Sequence, residues 1–220
     1  MSPPVPARMA RLPLDRHGRP VPWFAAWVDG QPDFRVASGA KLVEALRFKL
    51  CWVCGQRVGR FVSFVIGPMC AVNRVTAEPG CHRECAIFSA TACPFLARPT
   101  MRRRESGLPE DRIDAGGETI EHNPGVALVY VTRGWKPFRV PAGMGHDGVL
   151  IDLGEPTQTL WYAHGRDATR AEVMASIESG MPLLRRAAEQ DPDDPVGAVA
   201  ALAAQYVVAM RYVPPEVPDA

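Results

Sequence analysis

The sequence predicts an α+β fold in which a small cysteine-rich module packs with a small antiparallel sheet and C-terminal helices. Three observations lead to this prediction. Short apolar stretches separated by Gly and Pro are typical of short strands joined by turns. Later stretches carry the apolar period and the capping residues of helices. All six cysteines fall within residues 51–93, which indicates a separate module inside the fold.

Length and composition allow one full core or two small ones, because the chain has 220 residues. Its 47% hydrophobic and 22% charged residues are ordinary for a globular protein and exclude a disordered chain.

The two halves of the chain carry opposite net charges. Residues 1–110 carry 16 Arg and Lys against 8 Asp and Glu, and residues 111–220 carry 9 against 16. We therefore expect the basic half either to dock on the acidic half or to bind an acidic partner such as DNA, RNA or an acidic protein surface.

The N-terminal stretch lacks an apolar run of signal-peptide length, and no stretch has the apolar length of a membrane span. The sequence thus predicts a cytoplasmic protein. Because thiols stay reduced in that compartment, clustered cysteines are interpreted as metal ligands and not as disulfides.

The first half is expected to begin with an extended arm, residues 1–20, followed by a basic lobe, residues 21–104. An aromatic strand and its hairpin partner are predicted at 22–29 and 33–37. Ser38 is an N-cap candidate for a helix over 39–49. The remaining elements expected in this lobe are a strand over 60–66, a returning strand arm over 69–77, and a helix from Cys81 to Pro94.

Residues 105–124 have no apolar period and are expected to form a loop that separates the basic lobe from an acidic α+β lobe, residues 125–213, and a tail, residues 214–220. Four strands of one antiparallel sheet are predicted at 126–131, 138–140, 149–153 and 159–163. Thr169 and Glu172 form a capping box for the next helix, which Gly180 and Pro182 are expected to end before a short helix at 183–190.

The last predicted helix, residues 195–211, starts at Asp194 and Pro195 and has no charged residue from Pro195 to Met210. Such a helix is either buried in the centre of the protein or forms a subunit contact. The interpretation adopted is burial in a monomer, with a homodimer through this helix as the alternative.

Cys51 and Cys54 in the stretch CWVCG are placed to supply two thiolates from one backbone turn. His82 and Cys85, three residues apart at the start of the predicted helix, present two more ligands on one helix face. Four soft or borderline ligands of this kind form a closed structural zinc site. Cys81 is the alternative to His82 as the fourth ligand. Cys70 and Cys93 are interpreted as core residues, with a second metal site as the alternative.

The order of turn, hairpin and helix over residues 51–93 resembles the treble-clef zinc finger, which implies a scaffold and no single activity. The ligand order also resembles nucleases of the HNH type. However, residues 56–74 contain no histidine, and Asn73 cannot act as the general base.

The segments GRDATRAEVMASIESGMPLL, IGPMCAVNR and CPFLARP resemble an uncharacterised family of phages and GC-rich bacteria, which implies no site residues.

A non-enzymatic structural-zinc protein acting as a nucleic-acid-binding or protein-interaction adaptor is the leading functional interpretation. Arg98, Arg102, Arg103 and Arg104 are its candidate partner surface, together with the arginines Arg57, Arg60, Arg74 and Arg83. The alternative is a metal-dependent hydrolase or nuclease that uses histidines of the second half. The candidates for that site are His122, His146 and His164, none of which has HxH or HExxH spacing.

Overall fold

The computed structural model describes residues 3–98, 124–139 and 148–216. Its strands are β1 (Ala25–Val28), β2 (Gln31–Ala37), β3 (Val62–Ile66), β4 (Val75–Thr76), β5 (Ala127–Thr132), β6 (Trp135–Arg139), β7 (Val149–Leu153), β8 (Pro156–Ala163) and β9 (Arg166–Asp167). Its α-helices are α1 (Gly39–Phe48), α2 (Pro68–Asn73), α3 (Arg83–Ala92), α4 (Pro94–Ala97), α5 (Arg170–Glu189) and α6 (Pro195–Ala209). The predicted mixture of helices and small antiparallel sheets is confirmed.

Strand pairing within the described residues gives a β1–β2 hairpin, a four-stranded sheet in the order β3-β5-β8-β9 and a three-stranded sheet in the order β4-β7-β6. The four later strands were expected in one sheet, and that prediction is wrong. β5 and β8 lie in one sheet, whereas β6 and β7 lie in the other. Each sheet also takes a strand from the first half of the chain, since β3 pairs with β5 and β4 pairs with β7.

The central strand β5 separates two apolar cores, and all six of its residues are buried. Leu128 and Tyr130 lie in the larger core, which includes residues of α2, α5 and α6. Val129 and Val131 point to the opposite face, where the second core contains α3 and four of the cysteines. Alternation of side chains along one strand therefore joins the cysteine-rich module to the helical part of the protein.

The predicted strand arm at 69–77 is wrong over most of its length, because α2 occupies Pro68–Asn73 and only Val75–Thr76 is extended. Pro68 occupies the first turn of α2, where its fixed φ favours a helix and its missing N–H costs nothing. Ala71 and Val72 are buried by the helix that results. Gly67–Pro68 therefore ends β3 and starts a helix.

The predicted break near Gly180 and Pro182 is also wrong, since α5 runs without interruption from Arg170 to Glu189. Val173 and Ile177 are buried before the proline, and Leu184 packs against the same core after it. One apolar stripe thus continues through Pro182, and its burial outweighs the roughly 3 kcal/mol that a proline costs inside a helix. The predicted capping box is confirmed, because Thr169 and Glu172 exchange hydrogen bonds at the N-terminus.

Helix α6 lies at the surface, so the expected burial in the centre is wrong. Leu202 and Ala209 are its buried residues, whereas Val196 is 80% exposed and Val207 is 61% exposed. The predicted homodimer through this helix remains a prediction. Within the part of the chain that the structure describes, no helix has the length and apolar character needed to cross a membrane.

Gly80 allows the segment before α3 to lie directly against β3, and this close approach generates a stability prediction. A Cβ at Gly80 would overlap Val62 Cγ1 and lie 3.0 Å from Phe64 Cζ. We expect Gly80→Ala to lower the free energy of unfolding by about 1–3 kcal/mol, the usual cost of overpacking a core. Urea denaturation monitored by tryptophan fluorescence measures this loss.

The matched control is Gly59→Ala, because a Cβ at Gly59 would have no heavy atom within 4 Å. This variant should stay within about 0.5 kcal/mol of the wild type. Equal stability of the two variants would show that the contact between residue 80 and β3 is not tight.

Candidate metal centre

Four side chains from two separate segments converge on one point. The ligand atoms of Cys51, Cys54, His82 and Cys85 all lie within 4.8 Å of one another, and all four residues are buried. Ligands placed about 2.0–2.3 Å from a tetrahedral ion are about 3.3–3.8 Å apart, so the spacing fits a metal site after a small contraction. The structure therefore brings together the four residues that the sequence analysis preferred.

Cys51 and Cys54 are positioned by a tight backbone turn. The Gly55 N–H donates to the Cys51 carbonyl at 2.8 Å, and Gly55 has φ +72, a conformation that favours glycine. The Cys54 N–H points at Cys51 Sγ at 3.4 Å. An N–H donor aimed at a sulfur stabilises the thiolate form, which is the form that binds metals.

The turn is attached to the rest of the protein through Trp52. Its ring stacks on Phe24 with a centroid separation of 5.1 Å, and its backbone N–H donates to the Gly80 carbonyl at 3.0 Å. In the reverse direction, the Trp23 N–H donates to the Val53 carbonyl at 2.7 Å. The first ligand pair is therefore fixed both to the N-terminal hairpin region and to the segment that carries the second pair.

His82 is oriented by hydrogen bonding on both ring nitrogens. Its Nδ1 lies 3.4 Å from Cys54 Sγ, and its Nε2 lies 3.0 Å from the Arg57 carbonyl oxygen. A carbonyl only accepts, so Nε2 carries the proton and Nδ1 is left with the lone pair directed at the cluster. This is the outer hydrogen bond that metal-bound histidines usually make.

Helix α3 supplies the second ligand pair from its first turn. His82 is the N-cap residue and Cys85 is the third residue of the helix. The His82 backbone N–H also points at Cys51 Sγ at 3.5 Å. The two pairs are thus connected through the backbone as well as through the ligand atoms.

Cys81 is buried beside the cluster, but its thiol is not one of the four ligand atoms that converge. Its Sγ donates to the Ser63 carbonyl oxygen at 3.2 Å, and its backbone exchanges two hydrogen bonds with Ser63 at 2.7 and 2.9 Å. Cys81 therefore acts as a short antiparallel partner of β3. Of the two candidates for the fourth ligand, the geometry favours His82.

The buried thiols shift the pKa values of one another in opposite directions. Hydrogen bonds from Cys54, Cys81 and Cys85 hold the pKa of Cys51 far below its ordinary value. The same contacts with Cys51 raise the pKa of Cys85 and of Cys81, and burial adds to both increases. A divalent cation among these sulfurs would stabilise several thiolates together, which no arrangement of hydrogen bonds alone achieves.

The two other cysteines lie outside the four-residue cluster. Cys70 is in α2 against the larger core, and burial raises the pKa of its thiol to about 11. Cys93 is the residue between α3 and α4. Among the described residues, the one group of Cys, His and acidic side chains with metal-site geometry is the cluster of Cys51, Cys54, His82 and Cys85, so the alternative of a second site gains no support.

The remaining predicted site residues are only partly described. Arg98 follows α4 and is exposed, whereas Arg102, Arg103 and Arg104 lie outside the described residues. His164 is in the exposed turn between β8 and β9, and His122 and His146 also lie outside the described residues. Because two of the three histidines are not described, the hydrolase alternative stays a prediction.

A groove next to the metal site was missed by the sequence analysis. It has a volume of about 550 Å³ and is lined by Phe61, Arg83, Val131, Arg133, Thr157 and Gln158. These residues come from four places in the chain. Pairing of β3, β5 and β8 brings three of the places together, and a hydrogen bond from Arg83 to Gln158 joins the fourth to them. Of its lining residues, the sequence marked Arg83 as a candidate surface arginine but gave no reason to place Phe61 and Arg133 beside it.

Comparison with known proteins finds no matching family model, no curated relative and no solved structure that matches this chain.

The geometry predicts which residue completes the metal site. His82→Ala should lose bound metal, because the three remaining thiolates leave one position open, whereas Cys81→Ser should keep about one equivalent per chain. Metal content of the purified variants, measured by mass spectrometry and normalised to protein, checks this. Retention of metal by His82→Ala together with its loss in Cys81→Ser would assign Cys81 as the ligand.

Proposed function

We propose that this protein is a structural-zinc protein whose metal centre holds a nucleic-acid-binding surface in place. The observation that carries the proposal is the closed set of three cysteines and one histidine, all buried, with ligand atoms within 4.8 Å of one another. Sulfur and imidazole ligands in a compact set of four favour zinc over the harder cations. A set with four protein ligands leaves no open position for a substrate, which favours a structural role.

The treble-clef resemblance is supported by the order of the elements around the ligands. The Cys51–Cys54 turn is followed by β3, by the short pairing of Ser63 with Cys81, and by α3 with a ligand in its first turn. The chain departs from a simple hairpin because α2 and β4 are inserted between β3 and Cys81. We infer that this insertion connects the zinc module to the larger core, since Val72 of α2 is buried there.

Nucleic acid is the proposed partner because positive charge is concentrated around the zinc module. Arg57, Arg60 and Arg83 are exposed on the loop and helix that adjoin the ligands. Exposed guanidinium groups on one basic face neutralise phosphates and release counterions from nucleic acid. Arg8, on the same side, is already paired with Glu84 at 2.7 Å, so it contributes less to such a face.

Removal of the metal should unfold the zinc module. We expect the purified wild type to contain about one zinc per chain, and Cys51→Ser to lose both the zinc and the cooperative thermal transition. Zinc content by mass spectrometry and unfolding by circular dichroism are the measurements.

Cys93→Ser is the matched control, because Cys93 lies outside the cluster and should keep both properties. Wild-type protein that is purified without chelators and contains no metal would contradict the proposal. A different metal at full occupancy would retain the site but reject zinc.

Nucleic-acid binding should be measurable and strongly dependent on salt. The zinc-loaded protein should bind a fluorescent oligonucleotide at about 50 mM salt, and the affinity should fall at least tenfold at about 200 mM if several phosphates are contacted. Fluorescence anisotropy provides both values. Absence of binding at the lower salt concentration to single-stranded DNA, single-stranded RNA and duplex DNA alike would reject this part of the proposal and favour an acidic protein surface as the partner.

A further inference from the structure

We infer that the groove beside the zinc module, lined by Phe61, Arg83, Val131, Arg133, Thr157 and Gln158, binds single-stranded nucleic acid, with a base against Phe61 and phosphates on Arg83 and Arg133. This inference rests on the proposed function and gives that function a location and a substrate class. The groove includes Arg83, one of the arginines that the sequence suggested, but not the arginines at 98 and 102–104.

The groove combines an apolar floor with basic walls. Val131 is buried at its base, whereas Phe61 is 50% exposed and the two arginines are exposed at its sides. None of the six lining side chains is acidic. Its volume of about 550 Å³ lies within the range of roughly 300–1,000 Å³ that small-ligand sites occupy. A ligand that fits this lining is anionic and also carries a flat apolar part.

Both guanidinium groups are held in place before a ligand arrives. The Arg133 guanidinium lies 4.9 Å from the centre of the Phe61 ring, which is cation–π distance. Arg83 donates from Nε to Gln158 Oε1 at 2.8 Å, which leaves its outer nitrogens available to other acceptors. Ordering the side chains in advance reduces the conformational entropy that binding costs.

Strand register explains why these residues meet. Val62 pairs with Thr132, so the residues on either side of that pair, Phe61 and Arg133, lie next to each other at the end of the sheet. Val131 pairs with Gln158 on the following strand. Val131, Thr157 and Gln158 therefore lie on paired strands, and Phe61 and Arg133 lie one residue beyond the strand ends that this pairing fixes.

Two connections link the zinc ligands to residues of the groove. His82 is a ligand and Arg83 is the next residue, so the metal fixes the backbone that carries one phosphate-binding group. The same histidine binds the Arg57 carbonyl through Nε2 at 3.0 Å, which holds the loop leading through Arg60 to Phe61. This connection explains how a buried structural metal would control an exposed binding site.

A single strand fits this arrangement better than a duplex. Bases of a duplex are stacked on one another, whereas a single strand can place its bases on aromatic side chains and its phosphates on arginines. An anionic peptide would use the arginines but gains less from a half-exposed phenylalanine ring. Arg57 and Arg60 are also exposed on the loop that leads to Phe61.

The experiment measures binding of a fluorescent oligothymidylate of about 12 nucleotides to the full zinc-loaded chain, with Phe61→Leu, Arg83→Gln and Arg133→Gln as variants. Phe61→Leu keeps an apolar side chain and removes only the ring, and it should weaken binding roughly tenfold. Each arginine variant should weaken binding and reduce the slope of log affinity against log salt by about 0.7. A duplex of equal length should bind more weakly than the single strand.

Matched controls come from exposed residues that do not line the groove. Phe138→Leu alters a phenylalanine that is 39% exposed on β6, and Arg185→Gln alters an exposed arginine on α5. Both should bind as the wild type does. Zinc content and circular dichroism of every variant show whether the fold is kept.

The outcomes separate the inference from the proposed function. If the wild type binds the oligonucleotide and all three groove variants bind it with the same affinity, the inference is overturned. Nucleic-acid binding would then take place at another surface. Absence of wild-type binding would overturn both. Equal affinity for duplex, or competition by thymidine monophosphate at the same concentration as the oligomer, would overturn the assignment to a single strand.

Discussion

Convergence of four buried ligands is the interaction on which the rest of the structure depends. Thiolates are costly to bury without a cation, and structural zinc contributes apparent binding free energies of about 10–16 kcal/mol in small fingers. That value is comparable to the whole stability of an ordinary domain, which is about 5–15 kcal/mol. Because Cys51 and His82 lie on separate segments, their convergence also closes the chain around β3. The cluster that could hold the metal is therefore part of the core.

The two halves of the chain are held together by strand pairing and apolar packing. β3 and β4 each pair with a strand of the second half, and Phe64 and Leu128 share one core. The ion pairs Arg8–Glu84 and Arg166–Glu172, in contrast, each join residues of the same half. The opposite net charges of the halves are thus not needed to explain their association.

Local signals predicted more of the structure than long-range ones did. The four ligands, the Thr169–Glu172 capping box and the start of α6 at Asp194 are encoded by residues a few positions apart, and the structure has each of them. Pro68 and Pro182 were misread because a proline has opposite effects in the first turn and in the interior of a helix. The partners of β3 and β4 lie far away in sequence. The groove at Phe61 and Arg133 depends on that pairing and was missed for the same reason.

The position of β3 also has a consequence for the order in which the protein folds. A growing chain has made every metal ligand by Cys85, yet the strand that covers β3 begins only at Ala127. Until then, β3 has an open edge, and its apolar residues Val62, Phe64 and Ile66 have no sheet partner. Early metal binding would restrain this segment during synthesis. If the cluster binds a metal, a nascent chain short of that metal would instead present an aggregation-prone strand to its neighbours, and metal supply would limit the yield of folded protein before it limits stability.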